Sequence, residues 1–272
     1  MSALSPCGEA VRKGDPMRFR TALFAPPDAR EGLFALYAFN LEVAKIAPMV
    51  SEPMIGEIRL QWWRDSLDMI YGGGAVRRHE VVEPLCAIVR SADLPRGPLD
   101  ALIDARGFDL DPDFPADKAA LTGYLRDTAG SLTQLAMRAL GGEADDLALD
   151  AGYGIGTARY LAAVPALAMQ GGNPVPCAAN WRALREGQAD AAFAAQVHAL
   201  ASAGRDSLAR ARAGRRGICK KTAPAFLEVP RADRILAGMM RKSATLGDLA
   251  GAEPSPFRAN LSNVWRGVTG RW

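Results

Sequence analysis

Little in this sequence reads as β-structure. Alternating runs rich in valine, isoleucine and threonine are missing, and without that period-two pattern a half-buried strand has no face to bury. The expectation is an all-α protein of roughly eight to ten helices. Aromatic residues make up only 7% of the 272 residues, so small aliphatic side chains must fill the core. The abundance of alanine then points to closely packed helices. Cysteine is scarce: Cys7, Cys86, Cys177 and Cys219 lie far apart with no C-x-x-C pair, which argues against a zinc site or a disulfide framework and fits a reducing cytoplasm. No apolar run approaches the roughly eighteen residues of a spanning helix; the oiliest stretch, from Tyr160 to Met169, is short and contains Pro165. The N-terminus carries basic residues with no apolar segment after them, which argues against a secretory signal. Residues 1–17 read as a disordered lead-in and residues 18–272 as one domain, with membrane contact, if any, peripheral.

What is present is ordinary in bulk and uneven in detail. Hydrophobic content of 49% and charged content of 23% fit a soluble globular chain. The formal net charge of +3 hides an asymmetry. Eleven acidic residues fall between Asp100 and Asp150, whereas eleven basic ones fall between Arg205 and Lys242. The basic tract faces an anionic partner or is a solvated surface. No aromatic residue lies between Arg205 and Thr222, so the stacking platform of a single-strand nucleic-acid binder is absent and anionic lipid is the better partner.

The chain is organised around Asp28 to Tyr71. Pro26-Pro27 blocks helix from the N-terminal side, and Asp28 with Glu31 has the spacing of an acidic capping box. The helix that follows is apolar on more than one face, from Leu33 and Phe34 to Ile46, and should be buried on most sides until Ala47-Pro48 ends it. Ser51 offers the next N-cap with Pro53 in the first turn, and Leu60, Trp63, Leu67 and Ile70 form a core stripe that stops at Gly72-Gly73-Gly74. Polar residues are set into both helices: Asn40, Glu42 and Lys45 in the first, Arg59, Gln61, Arg64, Asp65 and Asp68 in the second. Some of them must be paired inside.

Further along, helices are expected over His79 to Ser91, Leu99 to Gly107, and from an Asp117 cap to Ala139. In the last of these Gly123 and Gly130 would permit close approach by a neighbour. The next spans Asp145 to about Gln170, and the Gly171–Pro176 break leads to helices over Ala179 to Leu200, Asp206 to Arg216, and Ala225 to Met240. A terminal amphipathic segment, Ser255 to Trp272, sets Leu261, Trp265 and Val268 beside Arg258, Arg266 and Arg271; it suits a membrane interface or docking on the parent domain. Two motif matches fail on context. The aspartates from Asp109 to Asp113 lack the glycine and glutamate of a calcium loop, and Gly152-Tyr-Gly-Ile-Gly156 follows a helical run instead of a strand. Those glycines read as close helix packing. His79 and His198, separate and without a Cys or Ser constellation, read as structural.

The run from Phe19 to Arg30, the Leu36-Tyr37-Ala38-Phe39 tetrapeptide, Trp63-Arg64, Tyr71-Gly72, Pro84-Leu85 and Asp109-Leu110 follow one another in the order found in squalene and phytoene synthases. The chain resembles that family from about residue 18 to residue 240, which implies an isoprenoid-synthase helical bundle around a central cavity. In the family, two aspartate-rich motifs facing across the cavity hold magnesium ions that bind a prenyl diphosphate and neutralise its departing charge. Here the first motif would place its acids at Ala44, Lys45 and Pro48, and none is acidic. The second would fall near Leu167, yet no Asp or Glu occurs between Ala151 and Arg185. Both metal clamps are missing, so no metal and no cofactor are expected.

A narrower likeness accounts for the loss. Ala38 to Ala44, Val50-Ser51-Glu52, Ile55-Gly56, Arg59, Gln61-Trp62-Trp63, Arg126 to Leu132, and Gly156 to Arg159 before Val175-Pro176 are similar to the branch of the family that assists assembly of mitochondrial respiratory complex I and lacks the synthase acids. The resemblance implies a non-catalytic or repurposed scaffold assisting assembly of NADH:quinone oxidoreductase at the inner-membrane surface, with complex I subunits or assembly intermediates as partners. An anionic lipid or an isoprenoid is the candidate ligand. Tyr37, Asn40, Glu42, Lys45, Arg59, Gln61, Trp63, Arg64 and Arg159 are then the candidate cavity residues, against the plainer reading that they form an internal hydrogen-bond network. The alternative is an active prenyltransferase in which Glu42, Asp65 and Asp68 act as displaced magnesium-binding acids and Lys45 and Arg159 contact phosphate; Asp65 and Asp68, three residues apart, would share a helix face.

Overall fold

A computed structural model of the chain describes residues 4–251 and residue 272. Thirteen α-helices and no strand occur among the described residues. They are α1 (Pro6–Gly14), α2 (Pro16–Ala22), α3 (Pro27–Ala44), α4 (Pro53–Tyr71), α5 (Val82–Ser91), α6 (Arg96–Ala105), α7 (Lys118–Leu125), α8 (Ser131–Ala139), α9 (Asp145–Met169), α10 (Trp181–Arg185), α11 (Ala191–Ala213), α12 (Val229–Arg241) and α13 (Leu246–Ala250). The count exceeds the sequence expectation because α1, α2, α10 and α13 are short and a π turn divides α7 from α8.

Helix α3 is the central strut of the first half. Leu33 to Phe39 are buried without interruption, as its apolar residues on several faces require. Burial of each large side chain such as Phe34 or Phe39 contributes about 1.5–3 kcal/mol. The helix starts at Pro27 with Pro26 as N-cap and no side-chain cap, so Asp28 and Glu31 do not form the expected box. Likewise Glu52, not Ser51, precedes α4, again without a side-chain cap. Proline at N1 sets the backbone in both places without help from a cap.

The expected disordered lead-in is ordered over its described part, residues 4–17. From Pro6 onward they are helical: Ser5 accepts a hydrogen bond from the Gly8 amide, and Cys7 and Val11 are buried against α3. Asp15 closes α1 and caps α2 by accepting from the Arg18 amide. A nine-residue helix with two buried apolar side chains carries too weak a periodicity to be read from sequence. The terminal amphipathic segment lies outside the described residues except for Trp272, which stacks on Phe226 with ring centroids 4.7 Å apart.

The second half is built on α9, which runs 25 residues through Pro165. Asp117 caps α7 as expected, but the helix from there to Ala139 is interrupted by a π turn over Arg126–Gly130. This wider turn lies against the α9 glycines. A Cβ on Gly152 would come within 2.5 Å of the Ala129 carbonyl oxygen and 2.6 Å of the Gly130 Cα, and one on Gly154 would meet Leu208 of α11 at 2.4 Å. The Gly152–Gly156 run is thus a helix-packing motif. Gly123, expected to do the same, has nothing within 4 Å of its Cβ position. The expected break between Leu200 and Asp206 does not occur, since α11 continues to Ala213; Gly204 there packs against Thr157 of α9.

Candidate functional site: a charge-balanced central cavity

A cavity of about 500 Å³ lies between the α1–α2 junction, α3, the end of α6, the π turn, α9 and α12. Its depth is organised by two carboxylates and two guanidinium groups that alternate in space. Arg159 of α9 donates from Nη1 to Asp15 Oδ2 at 2.7 Å and from Nη2 to Glu228 Oε2 at 2.7 Å. Arg18 of α2 donates from Nη1 to Asp15 Oδ2 at 3.0 Å, and its Nε lies 3.8 Å from Glu228 Oε1. The side chains of Asp15 and Glu228 are both 8% exposed. Arg18 also lies over the ring of Tyr37, 5.7 Å from its centroid.

The electrostatics follow from that geometry. Burial alone would raise the Asp15 pKa, but the guanidinium groups of Arg159 and then Arg18 outweigh it and hold this carboxyl well below the usual range. Burial opposes the charge of Arg159 as well, and Glu228 and Asp15 reverse the effect and raise its pKa. Burial pushes the Tyr37 phenol up. The two guanidinium groups and the two carboxylates balance one another in charge. They tie the N-terminal segment to α9 and α12 across 144 and 69 residues of chain.

A second cationic wall is formed by Arg106, which donates from Nη1 to the Tyr124 hydroxyl at 2.6 Å and to Asp109 Oδ2 at 3.0 Å. Its Nε is buried with no hydrogen-bond partner. Tyr160 faces the same space and donates to the Pro174 carbonyl at 2.7 Å. Phe108, Phe114, Tyr124 and Tyr160 follow one another at ring-centroid distances of 5.2, 5.1 and 6.3 Å, leading from the surface inward. Among the described residues no group of three or more His, Cys, Asp or Glu side chains could hold a metal ion. Among the described residues Asp15 is the one acid that lines the cavity, and two guanidinium groups already pair with it.

The structure divides the sequence candidates. Tyr37 and Asn40 are buried at or beside the cavity, and Arg159 is half-buried in its wall. Glu42, Lys45, Arg59 and Trp63 are not part of it: they line a separate pocket of about 260 Å³ on the outer side of α3 and α4, together with Trp62 and His79. Gln61 is a surface residue bonded to Asp65 at 2.8 Å, and Arg64 pairs with Asp104 at 2.9 Å. The internal network expected of these polar residues is therefore mostly a set of surface pairs, because only every third or fourth position on α4 is buried and the polar residues fall between. Nor do the displaced acids converge. Glu42 pairs with Lys45 at 3.5 Å, Asp65 with Arg77 at 3.7 Å, and Asp68 with Arg96 at 2.7 Å. Lys45, paired with Glu42 in the outer pocket, does not face the cavity where a phosphate would lie. His79 packs against both indoles, at 5.2 and 5.6 Å, and its Nδ1 accepts from the Val81 amide.

Sequence reasoning missed Asp15, Arg18, Glu228, Arg106, Tyr124 and Tyr160. Asp15 before Pro16 does carry a local helix-start signal. The pairing of residues 15, 159 and 228 carries none, since it exists only once three distant helices meet.

A sequence model of the squalene/phytoene synthase family matches residues 11–250. Among curated proteins, NADH dehydrogenase (ubiquinone) complex I, assembly factor 6 from Bos taurus is 34% identical over 162 residues, which is 58% of this chain and 48% of that protein. The Homo sapiens protein of the same name is 32% identical over the same shares. The Drosophila melanogaster homolog is 30% identical over 180 residues, 63% of this chain and 52% of its own. The chain thus spans about half the length of these relatives. Squalene synthase HpnC from Alicyclobacillus acidocaldarius superposes with a TM-score of 0.76 at 17% identity over 86% of this chain and 92% of that one. A dehydrosqualene synthase does so with 0.77 at 15% identity over 97% and 94%. At such identities the superpositions establish a shared fold, the isoprenoid-synthase helical bundle. With the family pattern running through nearly every helix that encloses the cavity, the chain belongs to the squalene/phytoene synthase family.

Proposed function

We propose that this chain is an assembly factor for respiratory complex I, NADH:quinone oxidoreductase, built on a synthase scaffold that no longer transfers prenyl groups. The observation that carries the reading is the charge balance of the cavity. Ionisation of a prenyl diphosphate needs concentrated positive charge, supplied by divalent cations on paired carboxylates. Here the positions expected to bear the first set of acids are Ala44, Lys45 and Pro48, and the cavity's deep arginine, Arg159, is already neutralised by Asp15 and Glu228. The assembly-factor relatives, named for complex I, suggest the client.

The retained cavity favours a ligand held without turnover. Its apolar walls and the cation of Arg106 suit an isoprenoid or an anionic lipid, and the protein acts peripherally at the inner membrane. No helix among the described residues is long and apolar enough to cross one. Magnesium enters only in the transferase alternative. The test is deletion of the gene in its host, followed by assay of NADH:quinone oxidoreductase activity in isolated membranes. Activity should fall and return on complementation; unchanged activity would sink the assembly reading.

A further inference from the structure

The outer pocket of about 260 Å³ belongs to no part of the cavity just described. Ile46, Trp62 and Trp63 form its apolar floor, with Lys45 and Arg59 at the rim. The two indoles meet edge to face at 5.0 Å, and Arg77 stacks on Trp62 at 5.0 Å. The slot is therefore held open by packed rings and needs no ordering before use.

It continues into an exposed apolar ridge. Met49, at the pocket edge, is 65% exposed, and Met54 and Ile58, one turn apart on α4, are 73% and 64% exposed, with Ile55 beside them. Large apolar side chains gathered within ten residues of chain, next to a concave slot lined by tryptophan and methionine, have the composition of a protein-binding hot spot. Charge decides between a bilayer and a protein. Between Glu42 and Arg59 three acids, Glu42, Glu52 and Glu57, stand against two cations, Lys45 and Arg59, so the face lacks the excess positive charge that holds an anionic lipid surface. Arg59 carries no ion pair among the described residues, whereas Arg64 and Arg77 on either side are matched to Asp104 and Asp65. Arg59 is thus free to pair with a carboxylate brought by a partner.

We propose that this face docks an amphipathic helix of a protein partner, one large apolar side chain entering the Trp62–Trp63 slot and a carboxylate about one turn away pairing with Arg59. This deepens the assembly reading by naming the surface that would hold a client. The test uses the full chain in its host, with p-benzoylphenylalanine introduced at Ile58 and, as control, at Arg182, which is exposed on α10. After irradiation, the adducted peptide is identified by mass spectrometry. The expected result is a protein adduct at position 58 and not at 182, on a peptide bearing an apolar residue with an Asp or Glu one turn away. Its yield should fall about tenfold with Arg59→Glu and recover when the partner's acid is changed to lysine. Because Arg59 is exposed, an unchanged thermal melt verifies that Arg59→Glu is folded. The proposal is overturned by no adduct, by adducts to lipid only or to a second copy of this chain, by equal yield at both positions, or by indifference to Arg59→Glu. An adduct meeting these criteria on a protein outside complex I would leave the docking face standing and remove the assembly reading. Lost complex I activity on deletion with no adduct at 58 would do the reverse.

Discussion

Arg159 is the residue on which the interior depends most. It satisfies two carboxylates that are otherwise buried, and breaking such a pair costs about 3–5 kcal/mol because an uncompensated charge remains inside. Arg159→Met keeps much of the volume and removes the charge. Urea unfolding at pH 7 should therefore show a loss of about that size. The pH dependence supplies the sign. The folded-state pKa of Asp15 is depressed by Arg159 and Arg18 against the opposing effect of burial, so its contribution to stability is complete above its unfolded value of about 4. That contribution is lost as pH falls below it toward the folded value. Wild-type stability should fall through this acid window. In Arg159→Met, Asp15 keeps only Arg18 as partner, and its protonation over the same range relieves the excess negative charge left inside, so the two stability curves should converge at low pH. A constant gap between them would mean that Arg159 acts through packing alone.

At the scale of elements, the most informative contrast is between glycines in neighbouring helices. Gly152→Ala would drive a methyl into the backbone of the π turn, at Ala129 and Gly130, where nothing flexible can yield; destabilisation of about 1–3 kcal/mol is expected. Gly123→Ala meets nothing within 4 Å and should gain up to about 1 kcal/mol from helix propensity. Thermal melts of the two variants should move in opposite directions, and a shared direction would disprove the packing role given to the π turn. Elements with strong punctuation were legible in the sequence: the Pro53 start and Tyr71 end of α4, the Asp117 cap of α7, and the packing role of Gly152–Gly156. Those that depend on partners were not. Helix α1 is stabilised by docking on α3, α11 passes through Ala203-Gly204 because Gly204 is needed against Thr157, and the π turn has no local signature at all.

At the scale of the whole molecule, fold and chemistry part company. The bundle and its cavity were legible from ordered family motifs, and so was the absence of the metal-binding acids, because each position could be checked singly. The replacement was not legible, since Asp15, Arg18, Arg159 and Glu228 form one unit only after the first and last thirds of the chain close over α9. That unit makes a prediction about ligands. A diphosphate entering this cavity meets arginines already matched to carboxylates and, among the described residues, finds no acid cluster to bring magnesium with it. Calorimetry with farnesyl and geranylgeranyl diphosphate should give the same heat with and without magnesium, with no diphosphate released. If the cavity still holds an amphiphile, Arg106→Gln should weaken binding about tenfold while leaving the unfolding midpoint within a few degrees. Magnesium-dependent binding with turnover would instead place a metal site in this chain, and the transferase reading would replace the scaffold.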